Sequence, residues 1–284
     1  SFICQRLKDV RDNGSGNMDN GTVRLDQLLV NMKLADSRNR AQQMILNGYV
    51  VVDGNACTKP SKRVKEDVKI KLVDKLKYVS RAGYKLESLI DEYPIDVLGK
   101  VACDIGSSTG GFVDFLLQNG AKKVYAVDVN TKQLHPSLLE DQRVIPVEKN
   151  VKELVQSDFQ ELPDIVTIDV SFISVTKILE AIENILKPTS KVICLIKPQF
   201  EVGKVHKGIV RDKSLHMQAI DKVLKAFQEK KFVVEYLTYS KILGSDGNIE
   251  FFAVVSRNIS LGAFRKVELS DIIDIVNIAW EILS

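Results

Sequence analysis

The 284-residue sequence predicts an α/β fold: a doubly wound, mostly parallel sheet that ends in an antiparallel hairpin and follows a small α+β unit. Three observations carry this. Residues 104–111 read Asp-Ile-Gly-Ser-Ser-Thr-Gly-Gly, between the apolar run Val101-Ala102-Cys103 and an amphipathic stretch from Phe112 to Gln118. Glycine lets backbone approach a ligand and takes φ > 0, so a strand, such a turn and a helix form a ligand-binding βα unit. Apolar runs and amphipathic stretches then alternate, as they do where crossover helices join parallel strands. Finally, residues 22–72 hold 10 Lys/Arg against 5 Asp/Glu, whereas 73–284 hold 27 against 29. The net charge of +3 therefore conceals a basic N-terminal block suited to a polyanion.

Taken in order, residues 1–21 lack periodicity and read as a disordered or appended extension, with Met18 a candidate natural start. Leu25, Leu28 and Leu29 begin an amphipathic helix. Asp36-Ser37-Arg38 caps a second helix over 39–47, whose apolar face is Ala41, Met44, Ile45 and Leu46, and Gly48 stands just past its end. Val50-Val51-Val52 is a strand, Asp53-Gly54 a hairpin turn, 59–63 an exposed basic loop and 68–72 an alternating strand. A charged connector, 73–79, leads into a domain spanning 80–284, opened by a helix from Ser80 to Tyr93 that presents Leu86, Leu89 and Ile90. Strands are expected at 101–105, 123–128, 144–148, 165–170 and 191–196, and helices at 111–119, 150–156, 175–186 and 214–230. Strands at 232–240 and 250–256 follow with only a turn, Gly244 to Asn248, between them, and a last helix runs from Ser270 to Leu283. A sheet that closes in such a hairpin is the class I methyltransferase variant of the Rossmann-like architecture; a dehydrogenase continues in βαβ units.

The chain is long enough to bury a sizeable core. Cys4, Cys57, Cys103 and Cys194 are scattered without a C-x-x-C pair, so no metal site is expected. Cys103 and Cys194 lie inside apolar runs, as reduced core residues of a cytoplasmic protein do. No run of about 18 apolar residues exists to span a membrane, and no signal peptide is visible.

Ionisable residues fall at the ends of predicted elements: Lys85 on the helix before the first strand, then Asp104, Asp169, Lys197 and Glu250 at strand ends. Ligands of open α/β sheets bind at the carboxyl ends of the strands, and a charge within a buried strand is costly. Asp128 closes the strand after the turn, about 20 residues on, where an acid reaches a ribose hydroxyl. The turn and Asp128 together imply an adenosine-containing cofactor. Methylation of a base amine normally uses an Asn/Asp-Pro-Pro-Tyr/Phe segment after the fourth strand; this chain has Asp169-Val170-Ser171-Phe172 there. Carbon-5 methylation of a pyrimidine needs a cysteine nucleophile at a strand end, and Cys194 lies inside its strand. Methyl transfer to a hydroxyl remains. Lys197 either takes the hydroxyl proton, its pKa depressed by desolvation and by Lys85, or stays charged and orients the hydroxyl. The sequence leaves both open.

Residues 24–71 resemble the S4 RNA-binding domain, in Arg24-Leu25-Asp26-Gln27-Leu28-Leu29, Ser37-Arg38-Asn39-Arg40-Ala41, Gly48, Asp53-Gly54 and Lys59-Pro60-Ser61. Residues 78–257 resemble the FtsJ-like methyltransferase domain, in Ser80-Arg81, Lys85-Leu86-Glu87, the 104–112 turn, Val127-Asp128-Val129, 169–174, Lys197-Pro198-Gln199-Phe200-Glu201 and Asn248-Ile249-Glu250-Phe251. That order resembles the TlyA family, known both as hemolysins and as 2′-O-ribose rRNA methyltransferases. The resemblance implies a catalytic Lys-Asp-Lys-Glu tetrad at Lys85, Asp169, Lys197 and Glu250. It implies S-adenosyl-L-methionine held by Asp104, Gly106, Ser107, Thr109, Gly110, Gly111, Phe112, Asp128, Asn150 and Asp169. It implies RNA contacts from Arg24, Arg38, Arg40, Gln43, Lys59, Lys62 and Arg63, and ribosomal RNA rather than DNA as partner, with cytidine the expected nucleoside and a monomer the free state. Asn130-Thr131-Lys132 departs from the glycine-containing segment of many relatives. Arg24-Leu25-Asp26 also occurs in S4-fused pseudouridine synthases, but no synthase domain follows it here. The rival readings are a membrane-lytic protein, for which no lytic segment is visible, and a non-catalytic ribosome-assembly factor, against which the intact tetrad argues.

Overall fold

The computed structural model describes residues 21–73, 77–203, 208–257 and 266–284; the expected extension up to residue 20 and connector residues 74–76 lie outside the described residues. The N-terminal unit begins with β1 (Thr22–Arg24), which runs directly into α1 (Leu25–Asn31). α2 (Arg38–Leu46) is capped by Ser37, whose Oγ accepts the Arg40 amide at 3.2 Å. β2 (Val50–Val52) turns into β3 (Asn55–Ala56) through Asp53 and Gly54, both at positive φ (49° and 83°), the geometry of a tight hairpin. β4 (Arg63–Lys65) pairs antiparallel with β1, and β5 (Ile70–Leu72) with β2. Leu25, Leu28, Leu29, Ala41, Ile45, Val50, Val52 and Val64 form the core of this unit. The strand expected from Val68 begins at Ile70, and the basic loop gives way to a strand at Arg63.

The second unit opens with α3 (Arg81–Glu92) and continues β6 (Val101–Ile105), α4 (Gly111–Gln118), β7 (Lys123–Asp128), α5 (Pro136–Leu139), β8 (Val144–Glu148), β9 (Ile165–Ile168), α6 (Leu179–Asn184), β10 (Lys191–Ile196), α7 (Pro198–Glu201), α8 (Lys213–Glu229), β11 (Val233–Tyr239), β12 (Phe251–Ser256) and α9 (Leu269–Leu283). One seven-stranded sheet results, in the order β11-β12-β10-β9-β6-β7-β8. The expected terminal hairpin is present, with β12 running antiparallel to both β10 and β11.

Alternate residues of each central strand enter opposite faces. Val101, Cys103, Ile105, Val192, Cys194 and Ile196 pack with Ile220, Val223, Phe227, Ile272 and Val276 of α8 and α9. Ala102, Val124, Ala126, Ile193 and Leu195 pack with Leu86, Leu89, Phe112, Phe115 and Leu116 of α3 and α4. Covering both faces explains why these strands read as continuous apolar runs.

Two expected helices are shorter. Residues 150–156 form 3-10 turns at Val151–Glu153 and Gln156–Asp158. Asn150 Oδ1 accepts the Lys152 amide at 3.0 Å and Asp158 Oδ2 the Val155 amide at 2.9 Å, and such local side-chain bonds compete with helix extension. The stretch 175–186 divides into a 3-10 turn, Val175–Lys177, and α6.

Register then fixes the functional end. β12 meets β10 with Phe251 opposite Ile196, so Glu250, just before β12, adjoins Lys197, just after β10. β9 and β6 lie alongside and bring Asp169 and Asp104 to the same edge.

Candidate active site

A cavity of about 330 Å³ opens at that edge, lined by the 106–109 turn, Asp104, Gly111, Phe112, Ser80 to Ala82, Lys85, Asp169, Lys197, Ser245 and Glu250. The turn needs its glycines. Gly106 adopts φ +80°, and a Cβ there would lie 2.2 Å from the Asp169 carbonyl oxygen. A Cβ on Gly111 would lie 2.1 Å from Ser80 Oγ, so the start of α3 presses directly on the turn. Ser107 Oγ is buried without a hydrogen-bond partner among the described residues, a polar atom left for a ligand to satisfy. The cavity beside this closely packed glycine turn and the orphaned hydroxyl fit a polar cofactor.

Asp128 lies at the end of β7. Its Oδ2 accepts the Ser108 amide at 2.9 Å and its Oδ1 the Asn130 amide at 3.1 Å, which ties β7 to the turn. Asp128, Gly110 and Asn150 lie outside the cavity lining. Gly110, at φ +99°, caps α4; Asn150 is exposed and its side chain caps a 3-10 turn.

The four tetrad residues come together as two ion pairs. Lys85 Nζ donates to Glu250 Oε2 at 2.8 Å, both groups buried. Lys197 Nζ lies 2.6 Å from Asp169 Oδ1 and donates to Ser171 Oγ at 3.2 Å. Burial works against the Lys197 ammonium, but Asp169 and Glu250 outweigh it and hold its pKa above the ordinary lysine value. The depressed pKa that a lysine base requires is therefore absent from this arrangement, whereas the charged, orienting role agrees with it. Asp104 behaves oppositely. Burial, with the nearby charges of Asp169 and Asp128, pushes its carboxyl up to about 8, although it accepts a 2.7 Å bond from Thr167 Oγ1.

Two residues at this edge carry no role in the sequence reading. Arg81 donates a long bond (3.5 Å) to the Leu243 carbonyl, and burial lowers its pKa against the pull of Glu250 and Asp246. Its only sequence signal is its place in the Ser80-Arg81 pair. Phe172 is 81% exposed at φ +64°, with its ring centroid 5.1 Å from that of Phe200. A bulky residue at positive φ is strained, and a solvated aromatic offers a stacking face.

The residues expected to contact RNA lie on β1, on α2 and from the basic loop into β4. Arg24 lies opposite Arg63 in the β1–β4 ladder, the Leu25 amide donates to the Lys62 carbonyl at 2.8 Å, and the Asp26 amide donates to the Pro60 carbonyl at 3.0 Å. The basic loop containing Lys59 is thereby fastened to the start of α1. Arg24 and Arg38 share Asp26 as an ion-pair partner. Arg40 and Gln43 are exposed further along α2.

Comparison with known proteins agrees with this construction. Residues 78–257 match the FtsJ-like methyltransferase family and residues 23–70 the S4 domain. The Bacillus subtilis protein YqxC, described as a candidate rRNA methyltransferase, is 42% identical over 80% of this chain and 83% of its own. The Mycobacterium tuberculosis 16S/23S rRNA (cytidine-2′-O)-methyltransferase TlyA is 35% identical over 81% of this chain and 88% of its own. A solved Streptococcus thermophilus structure, described as a candidate hemolysin, superposes with a TM-score of 0.70 at 37% identity, covering 92% of this chain and 97% of that one.

Proposed function

We propose, from the premise that this chain belongs to the TlyA family of FtsJ-like methyltransferases, that it methylates the 2′-hydroxyl of a cytidine ribose in ribosomal RNA. The cofactor is S-adenosylmethionine, which supplies an electrophilic methyl group on a sulfonium. The observation that carries the reading is the pair of ion pairs, Lys197–Asp169 and Lys85–Glu250, at the mouth of a glycine-built cradle. Methylation of the hydroxyl would release its proton, and with Lys197 held protonated that proton would pass to solvent. Lys197, kept cationic by Asp169 and Glu250, orients the hydroxyl oxygen and stabilises the negative charge that grows on it. Asp169 fixes the lysine; Lys85 in turn fixes Glu250, so the second pair holds the first in register. Ser107, Asp104 and the 106–111 backbone hold the cofactor, and alignment of hydroxyl and methyl group supplies much of the rate. Exposed Phe172 is the face on which an unstacked nucleobase rests.

The test is transfer of labelled methyl groups to ribosomal subunits, with 2′-O-methyl positions mapped in the RNA. Incorporation at a defined cytidine is expected, with a loss of roughly 100-fold or more for Lys197→Ala and Asp169→Ala. Wild-type transfer by both variants would overturn the catalytic assignment.

A further inference from the structure

We infer that Asp26 is a positioning residue, holding Arg24 and Arg38 as a preset pair of donors for an RNA backbone phosphate; the inference rests on RNA docking by the N-terminal unit. Asp26 is fully buried in the first turn of α1. Arg24 donates to it through Nε (3.0 Å) and one terminal nitrogen (2.8 Å), and Arg38 through Nε alone (3.1 Å). Gln42 Nε2 adds a bond at 2.9 Å and the Gln27 amide another at 2.9 Å. One carboxylate thus gathers donors from both helices. Burial opposes its charge, yet Arg24, Gln42 and Arg38 hold its pKa far below the usual carboxylate range.

Stability alone does not account for this network. Ion pairs whose cations stay this exposed contribute little net stability, and what this network adds is a fixed geometry. A guanidinium has five N–H donors in a fixed fork. Arg38 commits one of them to Asp26 and Arg24 two, and the side chains remain 52% and 38% exposed. The edges uncommitted among the described residues are thereby available to a phosphate, beside Lys62 and Arg63, the first residue of β4. Two arginines on one carboxylate retain a single net positive charge, so Asp26 weakens the long-range attraction while removing the rotamer freedom the arginines would otherwise lose on binding. Lysine cannot replace arginine here, because its point charge has no second edge.

The experiment measures binding of the full chain to a ribosomal RNA transcript by fluorescence anisotropy across about 50–200 mM salt. Asp26→Asn is expected to weaken binding about 5-fold with the salt slope unchanged, since no phosphate-facing cation is lost. Arg38→Gln is expected to weaken binding and reduce the slope by about 1. Arg38→Lys keeps the charge and the slope but weakens binding about 5-fold, and this loss vanishes in the Asp26→Asn background, because both changes remove one fixed geometry. Asp26→Asn binding as tightly as wild type, or the two losses simply multiplying, would overturn the inference. If Asp26→Asn fails to fold by circular dichroism, exposed Arg38→Lys decides alone: a wild-type affinity refutes the positioning role. Unchanged affinity in both Arg24→Gln and Arg38→Gln would instead remove RNA docking at this face, and the inference with it.

Discussion

Replacing Asp104 by Asn should stabilise the cofactor-free fold, increasingly so as pH rises from about 4 to about 8. Asp104 is buried, and burial with the charges of Asp169 and Asp128 raises its pKa from 3.8 to about 8. The sign follows from proton binding. Between about pH 4 and pH 8 the folded chain keeps a proton here that the unfolded chain has released, so stability falls as pH rises through this window. The slope is about 1.4 kcal/mol per pH unit, and the whole shift amounts to about 4–6 kcal/mol, reached near pH 8. Asparagine still offers Thr167 an acceptor but has no proton to lose. At pH 4.5 the two proteins should therefore unfold within about 1 kcal/mol of each other, and at pH 8 the variant should lead by several. Urea titrations followed by fluorescence of Trp280, the one tryptophan, report on the domain that contains Asp104. Parallel pH dependences for wild type and variant would refute a buried, neutral Asp104.

Three further outcomes follow from the site. Gly106→Ala should abolish cofactor binding in calorimetry while leaving RNA affinity intact, because the new Cβ would lie 2.2 Å from the Asp169 carbonyl oxygen in a backbone at φ +80°. Phe172→Ala should lose about 1–3 kcal/mol of RNA binding, seen as a higher KM for RNA with cofactor affinity unchanged, and Phe172→Tyr should retain most of it. Lys197 stays protonated well past neutrality, since Asp169 and Glu250 hold its pKa up against burial. The single-turnover rate should therefore lack a unit-slope rise between pH 7 and 9 that depends on Lys197; such a rise, lost in Lys197→Arg, would restore the general-base role.

The sheet was legible because both its faces are covered: Val101 to Ile105 and Lys191 to Ile196 announce themselves as apolar runs whatever lies beside them. Charges at their ends then had to face a site. The β1–β4 ladder was not legible. In Arg63–Lys65 only Val64 is buried, so three residues of strand are indistinguishable from basic loop until Thr22–Arg24 is found opposite them. The stretches 150–156 and 175–186 carry a helical apolar pattern but also Asn150, Asp158 and Ser174, whose side chains accept the first amides of short 3-10 turns. Arg81 has no legible role in the sequence, because its partner, the Leu243 carbonyl, lies far along the chain.

The protonation of Lys197 shows the same limit at the level of chemistry. Residue types alone allowed a base or a cation, since desolvation and Lys85 push one way while Asp169 and Glu250 push the other. Distance decides. Lys85 is committed to Glu250 at 2.8 Å, and its charge is largely answered there. Lys197 faces Asp169 at 2.6 Å with Glu250 also raising its pKa, so two carboxylates act on a lysine whose cationic neighbour is already paired. Glu250 is thus common to both lysines, and it arrives at this edge only because β12 runs antiparallel to β10. In a sheet continuing in βαβ units, the residue before the next strand would lie at the opposite end, and Lys197 would face Asp169 alone. The hairpin that distinguishes this sheet from a dinucleotide-binding one therefore also brings the second carboxylate that, after Asp169, raises the Lys197 pKa.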